Sequence, residues 1–325
     1  MFKFKKKSHV AIELNDYILR VLVKKGEQPS QWETHDILLA QGIVQDGVIV
    51  DEVALFKLMK DHVAVFGGKK QLIRTFVPDT SVLLKTFEHP DDIADNKLKP
   101  FVQMELGRTV HLPFHEPLID VYDPVEGDGQ ATLFAAPSEE VTKLVNLLLD
   151  VALTPEVVDI RALCNLRLLE KLGQLQNDKT YMVTNWSINE LTICIYSDGH
   201  VDFLRFQTID TDLAKWHGVA DSQNEVTFSY SGEEEDYRML LIDRVMELDR
   251  IMNFFRFSLH KGEKMIDEII IMGDNPWLST IGQLITENLP VAMKIVDDRL
   301  IGQHYPNMKA KNAALIGLAL KEVDA

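Results

Sequence analysis

The sequence predicts an α/β protein of two lobes, each built on its own sheet. Strand-like and helix-like segments alternate along almost the whole chain, which favours mixed α/β layers over separate helical and β blocks. One hairpin unit occurs twice, as HVAIELNDYILRVLVKKG at residues 9–26 and as YMVTNWSINELTICIYSDG at residues 181–199. Both copies read as an apolar strand, a short polar tip, a second apolar strand and a turn ending in Gly. The chain has 325 residues, which is long enough for two lobes with separate cores.

The first half continues from its hairpin with alternating elements. Asp51 is a natural N-cap for a helix, and Gly67-Gly68 ends that helix. Pro78 closes the strand that follows, and Ser138 caps a later helix with an acidic first turn. Residues 42–51 form short extended pieces around Gly47. The predicted strands are 36–40, 72–77, 81–87, 118–122, 131–135 and 155–160, and the predicted helices are 52–66, 91–110, 141–151 and 161–173.

The second half begins after a polar segment at 175–179, which is the best candidate for a boundary between lobes. A long helix from Tyr237 to Phe257 carries one apolar stripe. Residues 221–232 are polar and are expected to form a loop or an edge strand. The remaining predicted elements are strands 200–206, 267–272 and 291–296 and helices 277–289 and 312–320.

Composition and charge exclude several classes of protein. The formal net charge is −16, so we expect no nucleic acid partner, because a phosphate backbone needs a basic face. No apolar run approaches the roughly 20 residues of a membrane-spanning helix, and no signal peptide is visible. Cys164 and Cys194 are far apart and are interpreted as buried, reduced thiols, which fits a cytoplasmic protein.

The N-terminal segment is a basic exception in an acidic chain. The first seven residues, MFKFKKK, interleave two phenylalanines with Lys3, Lys5, Lys6 and Lys7. Near an anionic inner leaflet, each lysine contributes about 1 kcal/mol of binding free energy. Peripheral contact with the inner face of the cell membrane is one interpretation of this segment. A solvated tail that keeps the first strand soluble is the other.

Four segments carry a resemblance to a known family that extends over nearly the whole chain. They are GIVQDGVIVD at 42–51, FVPDTSVLLKTFEHP at 76–90, VQMELGRTVHLPF at 102–114 and LDRIMNFFRF at 248–257. In order and spacing they resemble the type IV pilus assembly protein PilM family, a relative of the cell-division protein FtsA within the actin-like ATPase superfamily. MGDN at 272–275 stands where that family has a Gly-rich turn.

This resemblance implies a duplicated, two-lobed actin-like ATPase fold, related to ribonuclease H, with a central cleft. It implies a first lobe at 1–177 with an inserted subdomain at about 81–153. The second lobe is expected at 178–325, with a small subdomain at about 212–267.

In such a cleft the hairpin tips hold phosphate, and this chain departs from the pattern at all three phosphate sites. Glycine at a tip lets backbone amides approach the phosphate, and a nearby Asp holds magnesium. We therefore expect a degenerate cleft without catalytic turnover, and we expect no bound metal or cofactor. The alternative is a cleft that binds ATP with Mg²⁺. The cleft positions in this chain are Glu13, Asn15 and Asp16, then Thr184 and Asn185 next to Trp186, and then Gly273, Asp274 and Asn275.

The resemblance implies a cytoplasmic scaffold of a type IV pilus-like assembly machine at the inner face of the cell membrane. Its expected partners are the cytoplasmic tail of a PilN-type membrane protein and other pilus assembly components. An extended tail gains affinity from backbone pairing and a few apolar pockets. The alternatives are an actin-like ATP-binding protein that polymerises, or a sugar- or acid-kinase relative, and nucleotide titration separates both from a scaffold. The predicted groove wall is Phe76, Pro78, Lys85, Phe101 and Glu105.

Overall fold

Strands and helices alternate throughout residues 8–90, 92–125 and 127–323, which a computed structural model describes. Numbered in chain order, the strands are β1 (His9–Leu14), β2 (Ile18–Lys24), β3 (Glu33–Leu38), β4 (Val44–Gln45), β5 (Val48–Ile49), β6 (Leu72–Phe76), β7 (Leu83–Glu88), β8 (Pro117–Tyr122), β9 (Gln130–Pro137), β10 (Thr154–Asp159), β11 (Tyr181–Trp186), β12 (Glu190–Ser197), β13 (His200–Thr208), β14 (Trp216–Ala220), β15 (Val226–Tyr230), β16 (Glu268–Gly273) and β17 (Ala292–Ile295). The α-helices are α1 (Glu52–Asp61), α2 (Asp95–Glu105), α3 (Ser138–Asp150), α4 (Arg161–Lys171), α5 (Glu234–Asn253), α6 (Leu278–Asn288), α7 (Asp298–His304) and α8 (Ala313–Ala319).

Two five-stranded sheets of the same design form the centre of the molecule. The first has the order β3-β2-β1-β6-β10 and the second has the order β13-β12-β11-β16-β17. In each sheet the first three strands form an antiparallel meander, and two further strands add in parallel beside the central strand. The repeated hairpin therefore starts each sheet, which confirms the predicted two-lobed α/β fold.

The central hairpins are apolar on both sides because both faces of each sheet are covered. On the first sheet, Leu55 of α1 and Leu148 of α3 belong to the core of one face. On the second sheet, Leu241 of α5 and Ile281 of α6 do the same. The remaining faces share one core that contains α4 and α8. The last helix of the chain thus lies between the lobes and also packs against β1, β2 and β6 of the first lobe.

A separate three-stranded sheet of order β7-β9-β8 forms in the segment that the resemblance assigns to an inserted subdomain. The helix α2 packs against β8, and Leu98 and Val102 supply its buried face. Pro100 lies inside α2 without ending it, so the helix that was predicted over 91–110 is shorter but continuous through this proline. Phe87 and Leu133 belong to the same small core.

The polar segment at 221–232, which was expected to form a loop or an edge strand, contains the turn and the second strand of a β-hairpin. The strands β14 and β15 pair with each other, and the Asp221 backbone and side chain organise their turn. This hairpin reaches the first lobe, where the Asn224 carbonyl accepts from the Asp36 amide and Phe228 meets Tyr17 edge-on at 5.0 Å. The hairpin therefore lies across one side of the cleft.

The long helix of the second lobe ends differently from its prediction. The α-helical part stops at Asn253, and a π-helical turn covers Phe254–Leu259. Phe255 stays buried there, with its ring 4.4 Å from the ring of His260. The short helix α7 was not predicted, although Asp297 caps it by accepting from the Leu300 amide.

Candidate functional site

The two hairpin tips meet at the cleft, but the second tip lies later than the sequence predicted. Thr184 and Asn185, which were assigned to the tip, are residues of β11, and the turn is formed by residues 187–189. Trp186 is fully buried and its indole donates to the Thr184 hydroxyl at 2.9 Å. The Trp186 side chain belongs to the core of the second lobe and does not lie in the turn.

An acid–base–acid row crosses the first sheet beside the cleft. Glu13, Arg20 and Asp36 are register partners on β1, β2 and β3, so their side chains share one face. The Arg20 guanidinium lies 3.8 Å from Glu13 Oε2 and 3.5 Å from Asp36 Oδ1. Burial works to lower the pKa of Arg20, but the neighbouring acids, led by Asp274, raise it above its usual value. A buried guanidinium of this kind is stable because it is paired.

The shortest ion pair of Arg20 crosses to the second lobe. Its Nη1 lies 2.7 Å from Asp274 Oδ2, and the Tyr17 hydroxyl donates to the same oxygen at 2.7 Å. Burial and the Asp274 charge raise the pKa of Tyr17 well above its ordinary value, so Tyr17 stays a donor. Asp274 follows β16, at the third of the predicted phosphate positions. The Asp274 carboxylate thus forms an ion pair with Arg20 and accepts a hydrogen bond from Tyr17, both of the opposite lobe.

A second buried arginine joins the first hairpin to the strand ends beside it. Arg161 is the first residue of α4, and its Nη1 lies 2.6 Å from Glu13 Oε1. Its Nε lies 3.1 Å from Asp79 Oδ2, and its two terminal nitrogens donate to Asn15 Oδ1 at 3.2 and 3.1 Å. Its guanidinium also lies over the Phe76 ring, 5.5 Å from the centroid. The side chains of Glu13 and Asn15 are therefore bound to this arginine within the protein.

The acid at the first tip is bound by backbone amides of the same lobe. Asp16 accepts from the amides of Asp46 and Gly47, both at 2.9 Å. These two residues have φ values of 52° and 74°, the left-handed geometry that an Asp-Gly hairpin turn requires. From the second lobe, Asn189 donates to Asp16 at 2.8 Å. The tip carboxylate thus ties the β4–β5 turn to the second hairpin.

The other predicted cleft residues have structural partners. Asn185 accepts from the side chain of Asn165 at 3.1 Å. Asn275 accepts from the Trp277 amide at 2.9 Å and donates to the Ser187 carbonyl at 2.6 Å, so it fixes the turn before α6. Gly273 has φ 121°, and a Cβ there would lie 2.0 Å from the Trp186 carbonyl oxygen. Glycine is required at this position by the chain itself.

Two acids in the cleft are shifted towards their neutral forms. Burial raises the pKa of Glu13 against the opposing charges of Arg161 and Arg20. Burial raises the pKa of Glu190 to about 8, again against the pull of Arg161. Glu190 opens β12, directly after the second tip, and its Oε1 has no hydrogen-bond partner. A protonated Glu190 is the form that this environment favours at neutral pH.

Two small cavities remain within the cleft. One has about 10 Å³ and is lined by Glu13, Asn185 and Asp274 among others. The other has about 20 Å³ and is lined by Gly47 and Glu190 among others. Each is large enough for about one water molecule, whereas small-molecule sites measure roughly 300–1,000 Å³. Neither of these two cavities is therefore large enough for a small-molecule ligand.

The predicted groove-wall residues fall into two separate places. Phe76 is buried under Arg161, and Pro78 lies beside the β4–β5 turn, both next to the cleft. Lys85, Phe101 and Glu105 lie in the β7-β9-β8 subdomain instead. The Lys85 ammonium donates to the His111 carbonyl, and the Phe101 ring stacks on Phe87 at 6.5 Å. Glu105 accepts from the Thr109 hydroxyl at 2.7 Å.

Sequence reasoning missed the residues that dominate the cleft, above all Arg20 and Arg161. A signal for each was present. Arg20 is an isolated charge in the apolar run ILRVLV, and such a residue inside a covered strand needs a buried partner. Arg161 stands at a helix N-terminus, where the helix dipole disfavours a cation. Both positions therefore indicated nearby acids, although not which ones.

Neither a metal cluster nor a membrane span is present in the described ranges. Across 8–90, 92–125 and 127–323, no three His, Cys, Asp or Glu side chains are grouped to hold a metal ion. No helix in those ranges is long and apolar enough to cross a bilayer. The four N-terminal lysines proposed for membrane contact lie outside the described residues.

The central sheets of the two lobes repeat one strand order, and their hairpin tips face each other across a cleft. This arrangement defines the actin-like class of proteins. A model of the type IV pilus assembly protein PilM family matches residues 17–316. The chain belongs to the PilM family.

Solved structures agree with this fold. A structure of a PilM–PilN type IV pilus biogenesis complex is 18% identical, with 97% of this chain and 98% of that chain covered and a TM-score of 0.75. The ethanolamine utilization protein EutJ of Carboxydothermus hydrogenoformans is 9% identical, with 98% and 90% covered and a TM-score of 0.53. A comparison with curated proteins finds no match.

Proposed function

We propose that this chain is a scaffold of a type IV pilus-like assembly machine, located in the cytoplasm at the inner face of the cell membrane. In this role it binds the cytoplasmic tail of a PilN-type membrane protein. Membership of the PilM family and the likeness to a PilM–PilN complex support the assignment. In that position the chain would link a membrane protein to other components of the machine.

The observation that carries the scaffold role, rather than an ATPase role, is the Arg20–Asp274 ion pair across the cleft. A bound triphosphate would have to separate this pair. It would then approach the carboxylates of Asp16 and Asp274, whose negative charges oppose it. We infer that the residues present do not fit a magnesium nucleotide, and that the cleft serves as a lock between the lobes.

The lock has further interlobe contacts that support this interpretation. Thr192 donates to Asp79 Oδ2 at 2.8 Å, and Lys311 lies 2.8 Å from Asp36 Oδ2. Both acids lie in the first lobe and both partners lie in the second. Polar pairs that are buried or partly buried in this way hold two bodies in one relative position. A fixed arrangement of the lobes suits a protein whose work is to present binding surfaces.

For the tail-binding surface we retain the β7-β9-β8 subdomain, around Lys85, Phe101 and Glu105. These side chains are partly exposed, whereas Phe76 is buried and offers no surface. The basic Lys85 and the aromatic Phe101 of this subdomain suit an extended tail that carries an acid and an apolar residue.

The test is a binding titration with the N-terminal peptide of a neighbouring single-pass membrane protein. We expect Lys85→Glu and Phe101→Glu each to weaken binding at least tenfold, which corresponds to about 1.4 kcal/mol. Met104→Glu is the matched control, because Met104 is exposed on the same helix. Circular dichroism checks the fold of Phe101→Glu, whose ring stacks on Phe87. Wild-type affinity in both variants would refute this placement.

A further inference from the structure

A second groove lies away from the cleft, between the edge strand β13 and the C-terminal part of α5. We call it the edge groove, and its residues are Phe203, Arg205, Glu247, Arg250, Ile251 and Phe254. Its volume is about 380 Å³, which is in the roughly 300–1,000 Å³ range of small-ligand sites. It is therefore a formed concavity rather than a flat surface.

The floor of the edge groove is apolar and aromatic. The rings of Phe203 and Phe254 lie 6.1 Å apart, and Ile251 is buried between α5 and the sheet. Phe254 is 44% exposed, and Phe257 on the same π-helical turn is 58% exposed. Exposed aromatic side chains grouped in this way mark interaction sites.

The rim of the groove carries an excess of positive charge. Arg205 and Arg250 both pair with Glu247, at 3.4 and 2.8 Å. Two guanidinium groups thus share one carboxylate, in a chain whose net charge is −16. Their side chains are 50% and 75% exposed, so both can turn towards a ligand. A carboxylate is the group that this rim complements.

The groove runs beside an edge strand that β7 and the turn at Asp79–Ser81 also contact. β13 is the outer strand of its sheet, and in the described part of the chain no strand pairs with its outer side. The Val201 amide donates to the Tyr122 hydroxyl and the Thr208 carbonyl accepts from Arg244, which holds the two ends of the strand. An extended segment can lie along the 203–205 part of this strand, which lines the groove.

We propose that the edge groove binds an extended, acidic segment of a partner protein. One apolar side chain of the segment packs onto the rings of Phe203 and Phe254, which contact each other, and one carboxylate faces Arg205 and Arg250. A concave floor beside a strand edge fits a peptide better than it fits a planar lipid surface. This site is separate from the tail-binding surface of the first lobe and does not depend on it.

The test is fluorescence anisotropy of the full chain with two labelled hexapeptides, one alternating Ile with Glu and one alternating Ile with Lys. We expect the Glu peptide to bind at least tenfold more tightly than the Lys peptide. The double variant Arg205→Glu, Arg250→Glu should reverse that preference, which loss of folding cannot do. Phe254→Ser should weaken binding of the Glu peptide at least tenfold, whereas Met239→Ser, an exposed control on α5, should not.

Three results would overturn the proposal. They are equal affinity of the wild-type chain for both peptides, unchanged binding by Phe254→Ser, or binding to phosphatidylglycerol vesicles that Phe254→Ser abolishes. The last result would assign the surface to lipid. Binding of the membrane-protein tail by Phe254→Ser should equal that of the wild type, so this site and the proposed function can fail separately.

Discussion

At the scale of single residues, the proposed lock between the lobes depends on Arg20 and Arg161. Together they contact Glu13, Asp36, Asp79 and Asp274 while staying almost fully buried. Removing one partner of a buried ion pair typically destabilises a protein by about 3–5 kcal/mol, because it leaves an uncompensated charge. The cleft therefore tolerates little change at either arginine.

Glu190 is expected to make stability depend on pH. Its pKa in the folded chain is about 8, raised from 4.5 by burial, so the folded state holds a proton that the unfolded chain has lost. The stability from this group is complete below about pH 4.5 and is lost as the pH rises through 8. We expect Glu190→Gln to gain stability relative to the wild type between pH 5 and 8, by at least about 2 kcal/mol.

Denaturant unfolding at fixed steps of pH measures this difference. Contributions of other groups cancel when the variant is compared with the wild type at each pH. The stability advantage of Glu190→Gln over the wild type should level off above pH 8, where Glu190 ionises in the folded chain as well. A difference between the two proteins that stays constant over this range would contradict a protonated Glu190.

At the scale of elements, α8 shows how a helix at the end of the chain completes a core at its beginning. It packs against α4 and β1, and His9 on β1 contacts the Ala319 carbonyl at 3.2 Å. The close approach of α8 to α4 depends on Gly317. A Cβ at this position would lie 1.9 Å from the carbonyl oxygen of Cys164, which is backbone and cannot turn away.

Gly317→Ala is therefore expected to destabilise the chain by about 1–3 kcal/mol, the typical cost of overpacking. Alanine has the higher helix propensity by about 1 kcal/mol, so intrinsic propensity alone predicts the opposite sign. Gly302→Ala in α7 is the matched control, because a Cβ there meets nothing within 4 Å. We expect that control to be neutral or slightly stabilising. Thermal unfolding of both variants decides between packing and propensity.

At the scale of the whole molecule, the interlobe contacts leave the two sheets in a closed arrangement. One core that contains α4 and α8 joins the lobes, and the ion pairs and hydrogen bonds of the cleft add to it. Two cavities at the hairpin tips have volumes of about 10 and 20 Å³. Opening the cleft for a ligand would expose both the core and the buried charges.

We accordingly expect no thermal stabilisation of the purified chain by millimolar Mg-ATP. A ligand that binds the native state raises its stability by RT ln(1 + [L]/Kd), which is about 2.7 kcal/mol at 100 times Kd. A shift of several degrees in the unfolding midpoint would support the alternative, an actin-like ATP-binding protein. Differential scanning fluorimetry with and without Mg-ATP, with Mg²⁺ alone as the control, makes the comparison.

Much of the fold could be predicted because local patterns carry it. The apolar alternation of residues 9–26 and 181–199 indicated both central hairpins, and caps such as Asp51 indicated helix starts. The predictions were wrong or incomplete where the local pattern was ambiguous. Thr184 was assigned to a tip although it lies in β11, because a polar residue in a strand looks like a turn. The helix α7 is short, and its seven residues gave no periodic signal.

The sequence by itself determined the repeated architecture, and it predicted a departure from the phosphate-binding pattern at Glu13, Asn185 and Asp274. Periodicity and turn chemistry are local properties, so they can be read from neighbouring residues. The tertiary structure decided which charges meet. Arg20 and Asp274 are more than 250 positions apart in the chain, yet their side chains lie 2.7 Å apart. No local pattern records such a pair, because its energy depends on the packing of both lobes around α4 and α8.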